Sequence, residues 1–186
     1  MNYEIFSLFP IPVLRVKNFI TEDERFDLLK RIDCIKHEEH PTLIGDTVSS
    51  HNIKNNLLEN SLVDKLQDPL DYYCKVNGLA KVKITNSWSN IQNKNSRLLD
   101  HRHPESKISG ALYINVSMNS SNLYFLNPNP FNEFVDYIEE TEYNFSYVRI
   151  EPENCQLILF PSWLKHGSHE ETNNMDNRIV VSFNAS

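Results

Sequence analysis

The chain has 186 residues, 40% of them hydrophobic, and a formal net charge of −7 with its histidines counted as neutral. That length suits one domain with a sizeable core, and the composition argues against a disordered chain. The acidic balance removes the basic footprint that nucleic-acid binding needs, and no apolar run approaches the length of a membrane span.

The N-terminal Met1-Asn2-Tyr3-Glu4-Ile5-Phe6 lacks the basic-then-apolar pattern of a signal peptide. The three cysteines, Cys34, Cys74 and Cys155, lie far apart with no CxxC spacing. They read as buried small apolar residues in a reduced cytoplasm (a host's cytoplasm for a viral chain), not as a disulfide framework or zinc finger.

Residues 6–16 (FSLFPIPVLRV) are apolar with two prolines, the pattern of an edge or entry strand. Thr21 followed by Glu22-Asp23-Glu24 gives a capping signal for a helix over 22–35, with Phe26, Leu29, Ile32 and Ile35 on its inner face. Residues 37–60 are polar, carry His37, His40 and His51, and read as irregular. A second helical pattern runs through Leu62, Leu66, Leu70, Tyr73 and Val76 and stops at Asn77-Gly78, with Pro69 as a site for a kink.

From residue 80 the period turns strand-like. Strands are predicted near 81–91, 108–116, 123–125, 145–150, 156–160 and 178–184, with a turn-rich acidic insertion at 127–144. Helices followed by many short strands predict an α+β chain. The expected organisation is one domain over 1–186, with 1–80 as helical support and 81–186 as a β core.

The chemistry-bearing residues gather in the β half. In His101-Arg102-His103 the two imidazoles project to one side of an extended chain and can chelate one metal. His166 follows a strongly apolar strand, and Arg178 opens the last one. An HxH pair with a distant His covers one face of a metal and leaves positions open for substrate and oxygen. A charged Arg in the apolar RIVVSF strand needs an anion, and a dicarboxylate suits its bidentate fork.

The order HRHPESKISGALYI, PENCQLILFPSWLKHGSH and NRIVVSFN resembles the 2-oxoglutarate/iron(II) oxygenases found in marine bacteria and their phages. The likeness spans nearly the whole chain, because FPIPVLRV is similar to the family's opening phrase. FPSWLxH followed by RIxxSFN is the specific part; HxHP alone is not. The resemblance implies a double-stranded β-helix (jelly-roll, cupin-like) core with the N-terminal helices packed on one sheet. It also implies iron(II) and 2-oxoglutarate as cofactors, and hydroxylation of a substrate with release of succinate and CO₂. It makes His101 and His166 iron ligands, with Arg178 on the distal carboxylate of 2-oxoglutarate.

The wider superfamily usually has His-x-Asp or His-x-Glu where this chain has His101-x-His103. Either His103 completes a three-histidine face, or His103-Pro104-Glu105 is a shifted His-x-Glu. Pro104 disfavours regular strand geometry through Glu105 and tips the reading to His103. Related enzymes often place Ser two residues after the Arg; here Val180 stands there and Ser182 two further on. Tyr113, Asn90 and Ser182 are the candidates for further co-substrate contacts. Trp88 and Trp163 are expected to wall the pocket or fill the core, His169 to sit outside the ligand set, and Glu139, Glu140 and Glu142 to form a solvated face or lid. The rival readings are a cupin-like three-histidine oxygenase that uses no keto acid and a non-catalytic barrel binding module. The expected partner is a small molecule or a protein side chain as substrate, with nucleic acid disfavoured and a homodimer as the default assembly.

Overall fold

The structure, a computed structural model, describes residues 1–52 and 57–186. In chain order the elements are β1 (Leu14–Val16), α1 (Glu22–Cys34), β2 (Leu43–Ile44), β3 (Thr47–Ser49), α2 (Asn60–Asn77), β4 (Ile84–Gln92), β5 (Arg97–Leu98), β6 (Ile108–Asn115), β7 (Leu123–Leu126), β8 (Tyr147–Ile150), β9 (Leu157–Pro161), β10 (His166–Gly167) and β11 (Arg178–Ala185).

Helix α1 starts where its capping chemistry lies. The Thr21 hydroxyl accepts from the Glu24 amide, and the Glu24 carboxylate accepts from the Thr21 amide. Helix α2 runs through Pro69 and ends on Gly78, whose φ of 64° is the left-handed cap that glycine adopts at no steric cost.

The strands are antiparallel and form a six-stranded sheet, β1-β9-β6-β11-β4-β3, and a three-stranded sheet, β10-β7-β8; β2 pairs with β5. Alternation divides the large sheet's side chains between two environments. Leu112, Ile114, Leu157, Leu159, Ile179 and Val181 pack under the two helices. Ala111, Tyr113, Ile158, Phe160 and Val180 face inward with Leu123 and Phe125 of the small sheet. Both faces are covered, which is why these strands read as unbroken apolar runs. Each buried Leu of α2 (Leu62, Leu66, Leu70) contributes about 1.5–3 kcal/mol to this packing. The architecture is the expected α+β one, and the described residues contain no helix long and apolar enough to cross a membrane.

Several local expectations are corrected. Phe26 is 51% exposed, and Leu28 and Ile32 are the buried residues of α1. Phe26 and Ile35 are nine residues, two and a half turns, apart and so cannot share a face. Val76 is exposed, and Cys74, four residues after Leu70, takes the inward place. Cys34 is exposed, not buried. Only Leu14–Val16 of the entry segment is strand, at the sheet edge as its prolines demand. The first eighty residues supply β1, β2 and β3 as well as helices, so part of the stretch read as irregular is strand; residues 53–56 of it lie outside the described ones.

Gly110 pairs with Phe183 across β6 and β11, and a Cβ added there would lie 2.1 Å from the Phe183 ring, which is fully buried. Gly110→Ala is therefore expected to overpack the core by about 2–3 kcal/mol and to lower the melting temperature by about 5–10 °C. A thermal circular-dichroism scan reads this, and an unchanged melt would mean the ring has room to move.

Candidate metal centre

The apolar β9 strand carries the chain to Ser162 and, after a turn, to His166. The His101 segment runs opposite it. The His101 amide donates to the His166 carbonyl (2.9 Å) and the His166 amide to the His101 carbonyl (3.1 Å), a single reciprocal bridge and not a longer ladder. The His103 amide is held by the Ser162 carbonyl at 2.9 Å. Gly167 permits this close approach, since a Cβ there would meet Asp100 Oδ1 at 2.5 Å and Asp100 Cα at 2.9 Å. Asp100 points outward, where its carboxylate takes the His169 amide (3.2 Å) and lies 3.3 Å from His169 Nδ1.

The ring centroids of His101, His103 and His166 are 4.5–5.3 Å apart, and one nitrogen from each falls within 4.8 Å of the others. His101 Nδ1 donates to the Leu99 carbonyl and His166 Nδ1 to the Leu164 carbonyl, each at 2.8 Å. That fixes the tautomer, so Nε2 of both rings presents a bare lone pair. Glu105 is exposed and outside this cluster, so among the described residues the structure brings together three imidazoles and no carboxylate.

Burial holds all three rings neutral. Desolvation pushes His166 down to about 3 and His103 down to about 4, and it lowers His101 as well; the neighbouring imidazoles add to the effect. A neutral imidazole set needs no proton release before it takes a cation. The sign for stability follows. Above the ordinary histidine value the folded and unfolded chains bind the same protons at these sites, and nothing is lost. As pH falls from about 6.5 toward 3–4, the unfolded imidazoles protonate and the folded ones do not. The metal-free protein is expected to weaken there by about 1.4 kcal/mol per pH unit for each ring that stays neutral. Denaturant midpoints at pH 7.5, 6 and 5 check this, and a flat profile would show the rings to be freely hydrated.

The same cavity, about 240 Å³, reaches Arg178. Arg178 is 6% exposed, and its guanidinium donates from Nη1 to Gln92 Oε1 (2.5 Å) and from Nη2 to the Ser121 carbonyl (3.3 Å) and lies 5.8 Å from the Tyr113 ring. Among the described residues no carboxylate comes within ion-pair distance of it. Arg178 Nε and Gln92 Nε2 are buried donors without an acceptor. Burial pushes the Arg178 value down and the Tyr113 hydroxyl up to about 12, so that hydroxyl keeps its proton and remains a donor. Arg178, Val180 and Ser182 line the cavity in alternation, with Asn90 Nδ2 3.4 Å from Ser182 Oγ.

Trp88 lines the cavity beside His103, but Trp163 is 50% exposed and borders a separate groove with Tyr73 and Pro12. Among the polar lining residues that the sequence did not point to are Gln92, His40 and His51. Gln92 was within reach, since it continues the Trp88-Asn90 alternation and stands in register with Arg178. His40 and His51, with ring centroids 4.8 Å apart, come from a segment with no period to follow. The chain has 25 Asp and Glu, yet among the described residues none lines this cavity.

A two-sheet barrel that brings a histidine cluster and a buried cation to one cavity can take a metal ion and an anion side by side. Residues 86–184, more than half of the chain, match the family described as Putative 2OG-Fe(II) oxygenase, and the chain belongs to that family. No curated protein matches it. Among solved structures, it is similar to a 2OG-Fe(II) oxygenase family oxidoreductase from Burkholderia pseudomallei, with TM-score 0.67 and 11% identity over 94% of this chain and 84% of that one. HygX from Streptomyces hygroscopicus, solved with nickel, 2-oxoglutarate and hygromycin B, gives TM-score 0.61 and 10% identity over 95% and 83%. The α-ketoglutarate-dependent epimerase SnoN from nogalamycin biosynthesis gives 0.67 and 8% over 95% and 78%. At these identities the likeness is one of fold, and the fold is the expected double-stranded β-helix.

Proposed function

We propose that the chain is an iron(II)- and 2-oxoglutarate-dependent dioxygenase of the hydroxylase type. His101, His103 and His166 hold the iron, and Arg178 takes the distal carboxylate of the keto acid. One observation carries the reading: three neutral imidazoles and a buried guanidinium open on one cavity that, among the described residues, no acid lines. The donor set fits the metal, because imidazole nitrogen suits iron(II). The orphaned Nε of Arg178 and Nε2 of Gln92 fit a carboxylate, which supplies the acceptors both lack.

When bound, iron(II) and 2-oxoglutarate supply the oxidising power: dioxygen is consumed, the keto acid leaves as succinate and CO₂, and one oxygen atom passes to the substrate. The protein's own part is positioning and exclusion of water. The carbonyls of Leu99 and Leu164 aim the His101 and His166 rings. Gln92 and the Ser121 carbonyl orient the Arg178 fork, and the Tyr113 hydroxyl, held protonated, is a further donor beside it. Asn90 and Ser182 extend the polar row, while Leu123, Phe160 and Val180 keep the chamber dry.

The test is an anaerobic titration of the protein with iron(II) and then 2-oxoglutarate, read by visible absorption. A band near about 500–530 nm marks the keto-acid chelate. It is expected in the wild type and absent in His166→Ala. The imidazole at position 103, where the superfamily usually has a carboxylate, favours a second reading: a three-histidine oxygenase without keto acid. Bound iron with no band would establish that reading and reassign Arg178 to an anionic substrate. A band without succinate formation would indicate a binding module.

A further inference from the structure

We propose that the outer edge of β8, with the insertion leading into it, docks an extended basic polypeptide, and that the residue to be oxidised is carried on that polypeptide. The docking stands on the surface itself; its meaning as substrate binding rests on the oxygenase reading above.

Strand β8 ends the small sheet, so one side of it is unpaired. Which groups face out follows from the ladder. The Asn127 amide donates to the Ser146 carbonyl (2.9 Å), and the register continues as Phe125↔Val148 and Leu123↔Ile150. Hydrogen-bonded and non-bonded pairs alternate in an antiparallel ladder, so Tyr147 and Arg149 turn their N–H and C=O away from β7. Among the described residues nothing bonds to those groups. Such an edge is a template for one more strand.

The surface beside that edge specifies the partner's chemistry. Residues 127–146 contain five Asp or Glu and no Lys, Arg or His. They also expose Phe131, Phe134, Val135, Tyr137, Ile138 and Tyr143. Exposed large apolar side chains in that density mark an interaction surface. The charge repels nucleic acid, an anionic membrane and the same strip of a second copy, and it complements a cationic chain with apolar side chains.

The strip is continuous with the candidate metal centre. His166 is level with Phe125 and Phe125 with Val148, so Val148 lies in the His166 row. Tyr147 and Tyr124 both pack on His169, which holds Asp100 next to His101. An added strand would run about 14 Å from β10, three strand spacings away. About four or five extended residues cover that span, which sets how far along the polypeptide the reacting residue lies from the docked segment.

The experiment is fluorescence anisotropy with a labelled ten-residue peptide of alternating lysine and valine, compared with its glutamate–valine counterpart. It uses the full chain with iron(II) and 2-oxoglutarate under nitrogen, and again without either. The second arm lets docking fail or succeed independently of the oxygenase reading. Saturable binding of the lysine peptide at least about tenfold tighter than the glutamate one is expected. Arg149→Pro, which removes an outward N–H, should weaken it about tenfold, while Arg149→Ala should not. Glu139→Gln/Glu140→Gln/Glu142→Gln, on exposed carboxylates, should weaken it similarly and flatten its salt dependence. Equal affinity for both peptides, or binding unchanged in both the proline and the triple variant, would overturn the proposal. So would a sedimenting dimer that excludes the peptide, because the edge would then belong to a second copy.

Discussion

Arg178→Met is expected to lower 2-oxoglutarate affinity at least about a hundredfold while leaving the ligand-free fold as stable as the wild type or more so. Both halves follow from the same burial. Arg178 is 6% exposed, its guanidinium has among the described residues only an amide oxygen and a carbonyl as partners, and desolvation already pulls its value down. An uncompensated buried cation costs several kcal/mol, and a methionine of similar length removes that cost. Against this, Gln92 Oε1 loses its donor, a penalty of about 1–3 kcal/mol. The two roughly offset in the ligand-free state, but only the wild type gains from the dicarboxylate. At a hundredfold excess over Kd, 2-oxoglutarate should stabilise the wild type by about 2.7 kcal/mol, and the variant by almost nothing. Thermal shifts with iron(II), with and without keto acid, read both halves. A variant that melts far below the wild type without ligand would make Arg178 a structural tie between β11, β4 and Ser121. Keto-acid affinity within about threefold of wild type would place the anion elsewhere.

How much of this was legible in the sequence depended on whether the signal was local. The Thr21 cap and the Gly78 stop are decided within four residues, and both helices stand where those signals put them. The alternation of Arg178, Val180 and Ser182 needs only the two-residue strand period, and all three line the cavity. The pair His101 and His103 needs only an extended backbone, although the segment makes a single bridge and not a strand. What was not legible is what the chain's return paths bring together. His40 and His51 reach the cavity from an irregular segment, so no period connects them to His103. The inward face of α1 was misread because three-residue steps drift around a helix, and only the sheet beneath selects Leu28 over Phe26. Trp163 shares a strand end with a buried run, yet the turn after Pro161 swings it outward. Gln92 is the instructive case, because one more step of the alternation would have placed it opposite Arg178.

His103→Asp tests whether the third imidazole is a ligand and what its neutrality does. Three neutral rings leave an iron(II)–2-oxoglutarate set with no net charge, whereas one carboxylate makes it −1. An added anion stabilises the ferric ion more than the ferrous one, so the variant's potential is expected to fall. A tenfold preference corresponds to about 60 mV for one electron, and a charge placed at ligand distance should deliver at least that. The metal-free variant carries a second signature. A carboxylate beside His101 and His166 opposes the desolvation that holds them neutral, so the acid-side loss of stability, which still begins near the ordinary histidine value, should be smaller and end at higher pH than in the wild type. The comparison variant is His103→Ala, which removes the donor without replacing it and is expected to weaken iron at least about tenfold. Redox titration and iron-binding isotherms on the three proteins separate the possibilities. If His103→Ala keeps wild-type iron affinity, His103 is not a ligand and the third position belongs to another group. If His103→Asp holds iron at an unchanged potential, the carboxylate does not reach the metal. If it holds iron at a lower potential, the imidazole at 103 is what biases this site toward the reduced ion.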